Sequence, residues 1–158
     1  MKKETIAVHG SHLKDETAGS IAAPVFLTTT FEWALDGTYP KGHMYSRNSN
    51  PNRTALEKGL AALEGASRGF AFGSGLAAVN AVFKCLQSGD HILMPEVGYY
   101  ASYKLAEEIL GPWGLEVTQV DMTDLAAVEK AVQKNTKLIW AETPANPMLS
   151  ITDINGLA

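Results

Sequence analysis

Phe70-Ala71-Phe72-Gly73-Ser74-Gly75-Leu76-Ala77-Ala78-Val79-Asn80-Ala81-Val82-Phe83 is the stretch on which the fold turns. An aromatic-flanked triplet, a glycine-serine-glycine turn, and then Val79, Phe83 and Leu86 on one helical face predict a strand over 70–72, a turn, and a helix over 76–87. At the start of that helix the backbone N–H groups of Gly75 and Leu76 have no intrahelical acceptor. The helix dipole favours an anion there, and the glycines let a ligand approach the backbone. A phosphate suits the place, and a plain strand-to-helix turn accounts for the same residues equally well. Two familiar phosphate motifs are disfavoured: Leu76-Ala77-Ala78 stands where a dinucleotide fold has further glycines, and no Gly-Lys-Ser/Thr follows.

Downstream the alternation continues, with strands expected over 92–94, 116–120 and 138–141 and helices over 100–110 and 125–132. This order predicts an α/β fold: a mainly parallel sheet with helices on both faces and a ligand crevice at the carboxyl ends of the strands. Upstream, Thr54-Ala55-Leu56-Glu57 matches a capping box, and Leu56, Leu60 and Leu63 follow at helical spacing until Gly65. Residues 1–51 carry only short apolar pieces broken by Gly10, Gly19, Pro24, Gly37, Pro40 and Gly42, with no sustained helical period. They read as an extended N-terminal arm that buries little by itself and lies against the main domain (52–158) or against a neighbouring subunit.

With 46% hydrophobic and 19% charged residues in 158, the chain can bury one core. A net charge of −4 offers no basic stripe, which disfavours nucleic acid as a partner. Met1-Lys2-Lys3 is not followed by an apolar signal core. The apolar run over 21–27 is broken by Pro24 and falls far short of the ~20 residues that span a bilayer, so no membrane association is expected. The single Cys85 fits a reducing compartment, and a cytoplasmic location is expected. Lying beside Phe83 and Leu86 on the helix, Cys85 is expected to be buried packing rather than a nucleophile. His9, His12, His43 and His91 are scattered, and no metal site is expected.

Two further clusters fall at strand ends. Tyr99 and Tyr100 follow the strand over 92–94, where an aromatic face can stack on a flat heteroaromatic ring. One core tyrosine and one solvated at a helix start is the simpler account of an unassigned pair. After the strand over 138–141 comes Glu142-Thr143-Pro144-Ala145-Asn146-Pro147, stiffened by two prolines. Asn146 there is either a donor to a ligand oxygen or an ordinary turn residue.

Together these residues resemble the cystathionine synthase and lyase family of pyridoxal-phosphate (PLP) enzymes. Tyr45-Ser46-Arg47 with Asn50-Pro51 and Thr54-Ala55-Leu56-Glu57 is similar to the family's Tyr-x-Arg, Asn-Pro-Thr and leucine-glutamate stretch. Ser74-Gly75-Leu76-Ala77-Ala78 resembles its Ser-Gly-Met-Ala-Ala turn, and 142–147 resembles its Glu-Thr-Pro-Ser-Asn-Pro loop. Thr5, His9-Gly10, Gly19, Pro24 and Thr29-Thr30-Phe31 follow its N-terminal pattern, so the likeness runs in order along nearly the whole chain.

The resemblance implies pyridoxal 5'-phosphate as cofactor and a sulfur amino acid as substrate, in the methionine and cysteine metabolism of the γ-synthase, γ-lyase or β-lyase type. It assigns Tyr45 and Arg47 to the cofactor phosphate of a neighbouring subunit, Gly75 and Leu76 to backbone donors for the phosphate, and Tyr99 to ring stacking and proton transfer. Tyr100 is the alternative, because this chain has Tyr99-Tyr100-Ala101-Ser102 where the family shows Tyr-Gly-Gly-Thr. Asn146 is assigned to the ring oxygen or the substrate carboxylate, and Glu142 to a supporting position. Self-association as a dimer or tetramer is implied. The lysine that carries the cofactor, the aspartate facing its ring nitrogen and the arginine for the substrate carboxylate belong to family regions beyond Ala158. The expectation is therefore an incomplete PLP-binding large domain without the small C-terminal domain, inactive alone. A non-catalytic or dimerising module of the same fold is the alternative. A nucleotide-binding domain would need an acidic ribose contact about 20 residues past the glycine turn, and Glu96 and Asp90 do not end a strand suitably for it.

Overall fold

The computed structural model describes residues 2–158. The chain divides into two compact units, one ending at Ala71 and one running Phe72–Ala158.

The first unit opens with a helix, α1 (Lys3–His9), where the sequence predicts extended chain. Its apolar residues, Ile6, Ala7 and Val8, are consecutive, so they give no stripe from which a helical period can be read, and none is buried. Helix α2 (Pro51–Glu64) packs against α1. Gly59 lets the chain just past α1 approach α2 closely, since a β-carbon there would stand 2.8 Å from the Ser11 Cβ. The α2 cap also differs from expectation. Asn50, extended at φ −136°, accepts the Asn52 N–H at 2.9 Å and Pro51 takes the first helical position, so Thr54 lies inside the helix instead of capping it. Between the helices, residues 11–50 hold one antiparallel bridge, Thr30 to Tyr45. The asparagines at the start of α2 tether this segment: Asn52 donates to Pro24 O at 2.7 Å and accepts Phe26 N–H at 2.9 Å, and Asn50 donates to Phe26 O at 3.2 Å.

Residues 70–72 form no strand, contrary to the expectation from sequence. The Ala71 N–H bonds to the Glu57 carboxylate at 3.1 Å, and a ladder needs neighbours that no other strand among the described residues supplies.

In the second unit, α3 spans Gly75–Phe83, four residues shorter at its end than the predicted 87. Strands β1 (His91–Pro95), β2 (Glu116–Val120) and β3 (Thr136–Ile139) form a parallel sheet in the order β2-β1-β3. Between β1 and β2 runs α4 (Tyr100–Tyr103), which continues as a π-helix over Lys104–Leu110 and a 3-10 turn over Gly111–Trp113. Helix α5 (Leu125–Ala131) joins β2 to β3, and α6 (Ile154–Leu157) follows. The central strand is sealed on both faces. Ile92 and Met94 pack with Phe83, Ala106 and Leu110 on one side, and Leu93 packs with Val120, Met122 and Val128 on the other. Ile92, Leu93 and Met94 are wholly inaccessible, each stabilising by about 1.5–3 kcal/mol relative to exposure. Helices thus lie on both faces of a parallel sheet, as the alternation predicts.

His91 opens β1, buried at the amino ends of the strands between Thr136 Oγ1 at 2.7 Å and Thr118 Oγ1 at 2.9 Å. Burial holds its pKa below the usual imidazole value, against a smaller upward pull from Glu116. Cys85 is exposed rather than buried. It lies past the last residue of α3, so the helical face that would have carried it inward has ended.

Candidate functional site

The site residues of the second unit fall on segments at the carboxyl ends of the strands and on the first turn of α3. Ser74, extended at φ −159°, caps α3 by accepting the Ala77 N–H at 3.2 Å. The N–H groups of Gly75 and Leu76 have no acceptor among the described residues. A β-carbon at Gly73 or Gly75 would meet nothing within 4 Å. Two free donors at a helix start, faced by open space, fit the dianionic phosphate of pyridoxal phosphate.

Tyr99 precedes the first residue of α4, and its side chain is about half exposed (48%). Its backbone N–H donates to Glu142 Oε2 at 2.8 Å, while Glu142 Oε1 accepts the backbone N–H of Asn146, also at 2.8 Å. One carboxylate therefore joins the segment after β1 to the loop after β3. Gly98 gives it room, since a β-carbon there would lie 3.3 Å from Glu142 Oε2 and 2.8 Å from the Tyr103 hydroxyl. That hydroxyl donates to Pro95 O, and its pKa is pushed up to about 12, first by burial and then by Glu142 and Glu107. The ring of Tyr100 lies under the Lys104 ammonium at 5.3 Å. The Lys104 pKa is raised, chiefly by its hydrogen bond with Tyr100 and by Glu108.

The loop after β3 is closed on itself: Ala145 N–H donates to Ser150 O at 3.0 Å, and Thr152 N–H to Thr143 Oγ1 at 3.1 Å. Ala145 is buried, and both Thr143-Pro144 and Asn146-Pro147 are cis. Asn146 is exposed, and its side-chain amide makes no hydrogen bond among the described residues. A cleft of about 330 Å³ opens beside Glu142, lined by Pro95, Glu96, Asp121, Met122, Ala145 and Thr152 among others. Hydrogen bonds from Thr123, led by its side chain, hold the Asp121 pKa down.

Tyr45 and Arg47 belong to the first unit. Ser46 N–H bonds to Thr29 O at 2.8 Å, and Tyr45 O accepts the N–H groups of Asn48 and Ser49, each at 2.9 Å. The Arg47 guanidinium lies 5.0 Å from the centre of the Tyr45 ring, is exposed, and has no carboxylate partner among the described residues. Arg53 steadies the turn from α2, donating to Arg47 O at 3.2 Å and to Asn48 O while pairing with Glu57 at 3.5 Å. Sequence reasoning gave no part to Arg53 or Gly98. The helical spacing of Arg53 and Glu57 is the available signal for the first, and nothing in the sequence marks the second.

The family model described as "Cys/Met metabolism PLP-dependent enzyme" matches residues 4–158. Cystathionine gamma-lyase of Bacillus subtilis (strain 168) is 40% identical over 158 residues, covering 100% of this chain and 41% of the relative. Cystathionine beta-lyase MetC of the same organism is 42% identical over 154 residues, covering 98% and 39%. Among solved structures, cystathionine gamma-lyase from Lactobacillus plantarum, complexed with L-serine, superposes with a TM-score of 0.93 at 43% identity, covering 99% of this chain and 41% of that one. MetB from Corynebacterium glutamicum gives 0.96 at 41% identity, with the same coverage. The chain spans about two fifths of the length of the curated relatives it matches.

Proposed function

The chain belongs to the Cys/Met metabolism PLP-dependent enzyme family, and from that membership we propose that its residues bind pyridoxal 5'-phosphate for elimination or replacement on a sulfur amino acid. The reaction is of the cystathionine γ-synthase, γ-lyase or β-lyase type. The observation that carries this reading is the pair of free N–H groups at Gly75 and Leu76 opening onto space that no side chain fills. They hold the phosphate, aided by the dipole of α3. Arg47 and the Tyr45 hydroxyl donate to the phosphate of a neighbouring subunit in a cytoplasmic dimer or tetramer. A planar guanidinium with no carboxylate partner supports that role. The Tyr99 ring stacks on the cofactor ring and its hydroxyl moves a proton at the substrate amine. The Asn146 amide donates to the ring oxygen or to the substrate carboxylate. When bound, the cofactor supplies the electron sink that makes loss of the α-proton feasible.

A second reading, a non-catalytic module of the same fold, is favoured by one observation: every lysine is exposed, and none lines the cleft beside Glu142. Absorbance of the purified chain with pyridoxal phosphate, before and after borohydride, tests both. Reversible uptake with no single lysine labelled is the expected outcome. A stoichiometric adduct on one lysine would show that this chain carries its own covalent attachment point, and no uptake at all would overturn the cofactor assignment.

A further inference from the structure

We propose that Glu142 is the positioning residue of this site: by dividing its carboxylate between the backbones of Tyr99 and Asn146, it sets the width of the slot that receives the cofactor ring. The inference rests on the reading above that Tyr99 and Asn146 contact that ring. Tyr99 and Glu142 are 43 residues apart in sequence, on segments that follow β1 and β3. These strands are hydrogen-bonded neighbours, but their ladder ends before either segment begins. Beyond it each segment has its own course, and Glu142 is the polar tie between them. Tyr99 provides no side-chain cap for α4, and the side-chain amide of Asn146 bonds to nothing among the described residues. The two 2.8 Å bonds use one oxygen each. Backbone N–H bonds to a carboxylate are among the stronger ones, so both segments are held at a spacing fixed by the carboxyl group itself. Gly98 permits this close approach of the carboxylate to the backbone.

Glutamine at 142 keeps the length but replaces one acceptor by a donor, so one of the two N–H groups must be released. Aspartate keeps both acceptors but falls short by one C–C bond, roughly 1.5 Å, so it cannot reach both.

The test compares the full chain with Glu142→Gln and Glu142→Asp. Each is titrated with pyridoxal phosphate and, separately, with inorganic phosphate, and the induced circular dichroism of the bound cofactor reports a ring held in one orientation. Inorganic phosphate probes the start of α3 alone. The expected result is that both variants bind pyridoxal phosphate about tenfold or more weakly and lose the induced signal while keeping wild-type affinity for inorganic phosphate. Wild-type cofactor affinity and dichroism in Glu142→Gln would overturn the inference and leave the functional reading standing. Equal loss of both ligands would also overturn it, showing a general structural role instead. Failure of the wild-type chain to bind pyridoxal phosphate would sink the functional reading, and the inference with it. Should neither variant fold, amide exchange of the wild-type chain decides: added cofactor must slow Tyr99 and Asn146 together, and slowing of one alone overturns the proposal.

Discussion

A β-carbon at position 98 would stand 2.8 Å from the Tyr103 hydroxyl, 3.2 Å from Pro95 Cγ and 3.3 Å from a Glu142 oxygen, so glycine is there for room. Gly98→Ala is predicted to cost about 1–3 kcal/mol, as overpacking does, read as a lowered midpoint in urea unfolding. His91 makes a pH prediction. Its folded pKa lies below the ordinary value of 6.5, so between the two the unfolded chain binds the extra proton. Stability is complete above the ordinary value and declines as pH falls toward the folded one. The urea midpoint should therefore drop on acidification through this window, and His91→Gln should flatten that part of the profile; an unchanged slope would remove His91 as the cause. Neither residue is legible in the sequence. The partners of His91 lie 27 and 45 positions away, and only the strand register brings them to it. Tyr45, Arg47, Gly75, Leu76, Tyr99 and Asn146 can be singled out as candidates from sequence because each belongs to a short motif, and a motif is visible without knowledge of the tertiary path.

Regular elements follow from local signals where the signals match their surroundings. Helix α5 is an example. Asp124 accepts the N–H groups of Ala126 and Ala127 at 3.0 and 3.2 Å. Asp124→Ala should cost about 0.5–2 kcal/mol, seen as a lower thermal midpoint. The three strands of the sheet were legible from apolar runs between turn residues, and with them the crevice end at which Tyr99, Glu142 and Asn146 fall. The triplet over 70–72 has strand-forming residues but no ladder, because its backbone is bonded by Glu57 from α2. Residues 3–9 lack the apolar stripe that announces a helix, and yet they form one. At the start of α2 the capping box expected at Thr54 is not used, and Asn50-Pro51 caps the helix because it combines an acceptor side chain with the preset φ of proline. A pattern states what a segment is able to form; its neighbours decide what it does form.

At the scale of the whole chain, both units leave large apolar residues in water. Ile21, Leu27 and Leu35 are at least nine-tenths exposed in the first, and Met148, Leu149 and Ile151 are mostly exposed in the second. A second copy is the occupant that the proposed site requires, and exposed apolar residues are what such a contact would bury. Sedimentation velocity across a hundredfold range of concentration should show the average mass rise toward a dimer or larger. A monomer throughout would remove Tyr45 and Arg47 from any shared site. The order β2-β1-β3 has a further consequence, for the moment of synthesis. The central strand is made first, and its two neighbours arrive later and on opposite sides. While the roughly twenty residues from β2 to β3 are translated, one flank of β1 has no ladder partner. At ribosomal speed that interval lasts roughly one to four seconds, and an unpaired apolar strand is a template for the wrong chain. The nascent protein thus stays open to aggregation along β1 until Thr136–Ile139 is laid down.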